Sequence, residues 1–321
     1  MTTEPLMSIW EAVGSGHWHI VKERLRHDPS LINVTGNVKI RGKGYKKATL
    51  LHLASALTPD VEVLKHLVAQ GANINAVARK MPVNFLVHHF DPTAATKFDA
   101  DAFDERRLQN MISRGANINE MASRGWEAPL FLAARFSPSM EVLQYLISIS
   151  AGALPKFLLQ FAAPSNSNVL IMEYLVSQCG DVPWGVLGGA ASANPNVAVV
   201  EYLVSQGADA NADYTQDGLF WSKPLYFAAA GNSNVDVLKY LIAHGADVNV
   251  AATLDGYFCR TPLHAAASEN PNVEVLKCLI AQGADVYAKD DKGKTPLDVA
   301  DTDEKKQILR EAMTGNLGEI A

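Results

Sequence analysis

Apolar residues recur along this chain at spacings of three and four, in short bursts separated by glycine, proline and asparagine. The clearest burst runs from Thr261 to Val286, TPLHAAASENPNVEVLKCLIAQGADV. Thr261 suits an N-cap, and Pro262 suits the first helical position, where no amide hydrogen is needed. Leu263, Ala266 and Ala267 give a short apolar face. Asn270-Pro271-Asn272 ends this first helix, because proline disfavours helical geometry in the residue before it. Val273, Leu276, Leu279 and Ile280 then mark one face of a second helix, with Glu274, Lys277 and Gln282 on the other side. Gly283 follows as a left-handed C-terminal cap.

The pattern repeats. Val235, Val197, Val169, Met140 and Val61 align with Val273, and Glu105 stands there in a divergent copy; from Val61 to Val273 the steps are 44, 35, 29, 28, 38 and 38 residues. Ala54, Ala133, Ala162, Ala190, Ala228 and Ala300 align with Ala266. A small side chain at one fixed place lets neighbouring first helices approach closely. No single pair buries its apolar face alone, so the pairs must stack.

The wording of the repeat resembles that of the ankyrin repeat family. The motif stands as Thr261-Pro262-Leu263-His264, as Thr49-Leu50-Leu51-His52, and partly as Thr295-Pro296-Leu297-Asp298. The turn after the second helix stands as Gly71-Ala72-Asn73-Ile74-Asn75 and recurs at Gly115–Asn119, Gly207–Asn211, Gly245–Asn249 and Gly283–Val286. The resemblance covers nearly the whole chain and departs in one respect: the loop between the helices is one residue longer and carries Asn-Pro or a similar pair. It implies an all-α solenoid of about nine helix pairs with projecting hairpin fingers. It also gives His52 and His264 a structural role, bonding the backbone of adjacent hairpins.

On this reading residues 1–321 form one solenoid. Residues 6–33 are an N-terminal capping pair with Trp10, Val13, Val21 and Leu25 inside. The regular repeats run over 49–287, with an insertion near 88–104, and a short charged pair over 294–314 closes the other end. The fourth and fifth pairs are compressed, with Ser150 and Cys179 at the turn glycine's place. A non-glycine residue at a left-handed cap costs on the order of 1 kcal/mol. Either the array is weakest there, or the turn is remodelled.

Charge changes the picture in one place. The chain is −6 overall with 19% charged residues, but its first 50 residues carry 8 cations and 4 acids, leaving the rest at −10. The segment KIRGKGYKK, Lys39 to Lys47, holds five cations and no acid and predicts a projecting hairpin with Gly42 or Gly44 at its tip. It is either a contact for an anion or acidic protein, or a solvated loop. Aromatic residues sit just before the first helices: Tyr45, Trp126, Phe220, Trp221, Tyr257 and Phe258. On fingertips these would form a binding stripe, since Trp, Tyr and Arg are enriched at hot spots. Packing against neighbouring hairpins is the other reading.

No catalytic constellation is present. Gly14-Ser15-Gly16-His17 is an inter-helix turn, and Gly36 to Lys43 has the wrong spacing for a phosphate loop, with Gly44 where the metal-binding hydroxyl belongs. His88, His89, Asp91, Asp99 and Asp101 fit no metal motif, so neither metal nor cofactor is expected. Three cysteines without metal spacing, no basic-then-apolar leader and no apolar run of 18 predict a reduced, cytoplasmic, monomeric protein. Protein–protein recognition is the function implied, as a scaffold, an inhibitor or an effector acting inside another cell. The contact residues expected are Arg41, Lys43, Tyr45, Lys46, Trp126, Phe220, Trp221, Tyr257 and Phe258. The alternative is a nucleic-acid or polyanion binder through 39–47.

Overall fold

The computed structural model describes residues 7–80, 126–150, 155–183, 185–212, 214–216, 219–221, 223–251 and 260–315. They belong to two compact units, Met1–Leu154 and Pro155–Ala321.

Among its described residues the first unit holds three helix pairs: α1 (Ile9–Gly14) with α2 (Trp18–His27), α3 (Leu50–Leu57) with α4 (Val61–Ala69), and α5 (Pro129–Phe136) with α6 (Met140–Ile149). A capping box starts α1: the Ser8 amide donates to the Glu11 carboxylate at 2.6 Å, and the Glu11 amide donates back to Ser8 Oγ at 3.1 Å. Ala12, Val13, Val21 and Leu25 form its core, while Trp10 is only half-buried. First helices pack on first helices, α1 on α3 and α3 on α5, and α4 packs on α6. The second pair meets the fourth directly, and the stretch that holds the expected third pair and the insertion near 88–104 lies outside the described residues.

Hairpins add a four-stranded antiparallel sheet to this unit: β1 (Gly36–Ile40), β2 (Lys43–Ala48), β3 (Ala78–Lys80) and β4 (Trp126–Glu127), in that order. Ala78 pairs with Glu127 and Arg79 with Trp126.

Among its described residues the second unit holds five pairs: α7 (Pro155–Ala162) with α8 (Val169–Cys179), α9 (Val186–Ala193) with α10 (Val197–Ser205), α11 (Pro224–Gly231) with α12 (Val235–Ala243), α13 (Pro262–Ser268) with α14 (Val273–Ala281), and α15 (Pro296–Val299) with α16 (Asp303–Met313). A separate two-stranded ribbon, β5 (Tyr214–Gln216) with β6 (Leu219–Trp221), precedes α11. The alanine positions do what close stacking requires: Ala162, Ala190, Ala228 and Ala266 are all at most 1% exposed. Eight pairs are thus seen among the described residues.

An asparagine ladder runs through this unit. Asn194 donates through Nδ2 to the carbonyls of Ala163 (2.8 Å) and Asn166 (2.9 Å). Asn232 does the same to Ala191 and Asn194, and Asn270 to Ala229 and Asn232, at 2.8–2.9 Å. Each Oδ1 accepts the amide two residues on, from Asn196, Asn234 and Asn272. Those three residues cap the second helices and donate in turn to Ser167, Pro195 and Ser233. At the last rung Lys305, only 1% exposed, donates to the Ala267 carbonyl at 3.2 Å and pairs with Asp301 at 2.8 Å. An ammonium stands where a further asparagine would reach.

The compressed turns are remodelled. Ser150 ends α6 in extended geometry, and after α8 the turn glycine stands one residue further on, so that Gly180 takes the left-handed cap at φ 80°. Neither Ser150 nor Cys179 takes a left-handed cap, which decides between the two alternatives in favour of the remodelled turn.

Candidate functional site

The basic segment forms a tight hairpin. Its two-residue turn is Arg41-Gly42, with φ 47° and 79°, and Gly42 is the tip. Positive φ at both turn positions matches the twist of the strands, and glycine removes half the strain. Val38 pairs with Tyr45, Lys39 with Gly44 and Ile40 with Lys43. One face therefore carries Val38, Ile40, Lys43 and Tyr45; the other carries Lys39. A bulge follows, at which Lys47 sits at φ 56°.

The hairpin is not a free finger. Ile40 and Tyr45 are completely buried. Arg41 Nη2 donates to the Phe136 carbonyl at 3.4 Å, and Lys43 Nζ lies 5.7 Å above the Phe136 ring. Tyr45, expected on an exposed tip, is corrected to a core residue: it shares the hairpin face of the buried Ile40 and is itself fully buried, in a strand paired on its other side with β3. Lys39, Arg41 and Lys46 are exposed and Lys43 is partly covered.

The remaining contact candidates are dispersed. Trp126 lies in β4 opposite Arg79, while Phe220 and Trp221 lie in β6 opposite Thr215 and Tyr214. The side chains of these three, and all of Tyr257 and Phe258, lie outside the described residues.

Sequence reasoning missed a cluster in the second unit. Arg260 is 8% exposed and stands just before α13. Its Nη1 is 3.7 Å from Glu269 Oε1 and its Nε 3.8 Å from Asp290 Oδ2. Arg260 Nε and Asp290 Oδ2 are each buried without a hydrogen-bond partner among the described residues. Tyr226, on α11, completes the group: burial pushes its hydroxyl up to about 12, Glu269 adds to that, and the Arg260 guanidinium opposes it. Arg260 sits beside Cys259 and the aromatic pair Tyr257-Phe258, and an arginine next to hairpin aromatics was the available signal.

The motif histidines are structural. His264 Nδ1 accepts from the Thr261 amide at 3.3 Å and the Thr261 hydroxyl at 2.8 Å, while its Nε2 meets the Lys294 carbonyl at 3.0 Å. Burial pushes its pKa down, against the pull of that carbonyl. His52 accepts the same two groups from Thr49. Burial pushes the Cys278 thiol up, so it is not an activated nucleophile. Among the described residues no group of three His, Cys, Asp or Glu side chains is placed to hold a metal ion, and no helix is long and apolar enough to cross a membrane. The candidate metal residues His88, His89, Asp91, Asp99 and Asp101 lie outside the described residues.

Family models of ankyrin repeats match residues 159–252, 187–290 and 225–310, and a single-repeat model matches 46–79. No curated protein gives a significant match.

Proposed function

The chain belongs to the ankyrin repeat family, whose members are generally protein–protein interaction modules, and from that premise we propose that it is a non-enzymatic binder of a protein partner. The partner engages the first-helix side of the second unit and the hairpins beside it. The observation that carries this reading is the Tyr226–Arg260–Glu269–Asp290 cluster. The buried guanidinium nitrogen Arg260 Nε and the buried carboxylate oxygen Asp290 Oδ2 lie 3.8 Å apart, each without a hydrogen bond among the described residues, at a cost on the order of 1–3 kcal/mol for each unsatisfied group. The ladder a few residues away satisfies its buried amides, so the same scaffold can build such networks well. Half-satisfied polar groups that persist in an otherwise consistent fold mark places kept for function. Arginine and tyrosine are also the side chains that anchor interfaces.

In this reading Arg260 is the anchor, Phe220, Trp221, Tyr257 and Phe258 are further contact residues, and the module works inside a cell as a scaffold, an inhibitor or an effector. The exposed Lys39, Arg41 and Lys46 supply a basic approach surface. Nothing among the described residues favours nucleic acid over protein there, since the hairpin's one tyrosine is buried and offers no base-stacking face.

Affinity capture followed by mass spectrometry identifies the partner, and surface plasmon resonance against it tests the site. Arg260→Lys keeps the charge but loses the planar fork. It and Trp221→Ala should each raise the dissociation rate by about tenfold or more while unfolding stays within about 1 kcal/mol of wild type. Wild-type dissociation in both variants would move the interface elsewhere, and capture of no protein by the folded chain would defeat the reading itself.

A further inference from the structure

The first unit's sheet ends at β1, with β2 on one side of it. Among the described residues no strand lies on the other side, and beyond its ladder with β2 no backbone hydrogen bond engages Gly36–Ile40. About half of an edge strand's N–H and C=O groups point outward, ready to template another strand. Asn37 and Lys39 are exposed along this edge, while Ile40 anchors the strand from below. The Arg41 bond to Phe136 fixes its far end. Among the described residues the edge is thus anchored at Ile40 and Arg41, exposed at Asn37 and Lys39, and unpaired by any strand.

It is also strongly basic. No acid occurs between Asp28 and Asp60, and Lys39 and Arg41 are exposed in and next to β1, with the exposed Lys46 on β2 close behind. A lysine on an edge strand blocks indiscriminate pairing. It does so against a second copy of this chain, whose β1 would bring the same cations, because like charges facing across a strand pair repel. It does the reverse for a segment carrying carboxylates. We infer that the outer edge of β1 takes an extended, acidic segment of a protein partner as a fifth strand. Backbone hydrogen bonds supply affinity, Lys39 meets the partner's carboxylates, and Arg41 and Lys46 steer the approach. This rests on the protein-binding reading above and names the chemistry of one partner segment.

The probe is a synthetic octapeptide of alternating glutamate and valine. Its control has the same composition and charge but alternating L and D residues, so that it cannot form a regular strand. Titration is followed by amide exchange within Gly36–Ile40. The L peptide should bind saturably and protect alternate β1 amides, and the control should bind about tenfold more weakly or worse, the loss of one or two backbone hydrogen bonds. Lys39→Glu should weaken the L peptide about tenfold without changing thermal unfolding, because Lys39 is an exposed edge residue. Equal binding of both peptides with β1 unprotected would overturn strand addition, yet capture of a protein partner by the whole chain would still stand. No binding, self-association through β1, or preferential binding of a short DNA duplex would each overturn the inference as well.

Discussion

The two units use different devices to hold neighbouring repeats together. The second does it with amides. In Asn194, Asn232 and Asn270 one planar group donates to two carbonyls of the preceding repeat and accepts one amide of its own. The first unit has Thr58-Pro59-Asp60 and Ser137-Pro138-Ser139 at the same loops. Thr58 accepts the Asp60 amide at 3.0 Å, and Ser137 accepts the Ser139 amide at 3.2 Å, which reproduces the local half of the pattern. A hydroxyl has one hydrogen, however, and cannot satisfy two carbonyls at once. In the first unit the inter-helix loops lack this amide, and cross-repeat order comes from the hairpins, which join β2 to β3 and β3 to β4, and from Asn33, which donates to the Gly71 carbonyl at 2.9 Å and accepts the Asn73 amide at 2.8 Å. Ladder and sheet solve one problem, the satisfaction of loop backbone between repeats, with different donors.

The difference also explains what hairpin length does. The ladder spans a step of 28 residues, Asn166 to Asn194, with the same 2.8–2.9 Å bonds as the two 38-residue steps that follow. Its rungs lie at the loops between paired helices, on the opposite end of the helices from the hairpins, so a hairpin can be shortened without disturbing it.

Four substitutions or conditions sharpen the contrast. The largest effect should come from Asn232→Ala, which strands the Ala191 and Asn194 carbonyls in a buried site and should cost about 4 kcal/mol in denaturant unfolding. Tyr45→Ala should cost about 3 kcal/mol in the first unit, as for other large buried side chains; were Tyr45 a fingertip, it would cost almost nothing. Ala228→Leu overpacks the contact between α11 and its neighbours and should cost about 2 kcal/mol. Change within about 0.5 kcal/mol there would show that the first helices do not stack closely. The smallest effect is acidification. The His264 imidazole has a folded pKa below its unfolded value of about 6.5, so the unfolded chain binds more protons in the intervening window and stability falls as pH drops below about 6.5. The fall stops below the folded pKa, and His264→Gln should flatten it in a titration of unfolding midpoint against pH.

Much of this was legible in the chain. The helix pairs, the alanine positions and the turn glycines follow from spacing alone, because helix periodicity and left-handed φ each demand particular residues. The Asn-x-Asn loops were equally visible at 166–168, 194–196, 232–234 and 270–272. They read only as helix stops, since the partner of each amide lies 28 to 41 residues away and hydrogen bonds at that distance leave no local spacing. Tyr45 was misplaced for a related reason: which face of a hairpin is buried depends on what the sheet packs against, here α3 and Phe136, not on the hairpin itself. Cys179 misled because the turn slid by one residue to Gly180. The basic hairpin was legible as a hairpin, with Gly42 at its tip, and the Arg260 cluster was not legible, since its members come from three different repeats.

The ladder is the centre of this account, and hydrogen exchange across the second unit of Asn232→Ala tests it most directly. Asn232 bonds backward to the repeat of α9 and α10, and its carbonyl accepts from Asn270 in the repeat of α13 and α14. Loss of the rung should therefore speed exchange on both sides, over 186–205 and 262–281, as well as in α11 and α12. Faster exchange confined to 224–243, with both neighbours at wild-type protection, would contradict the claim that these asparagines couple the repeats.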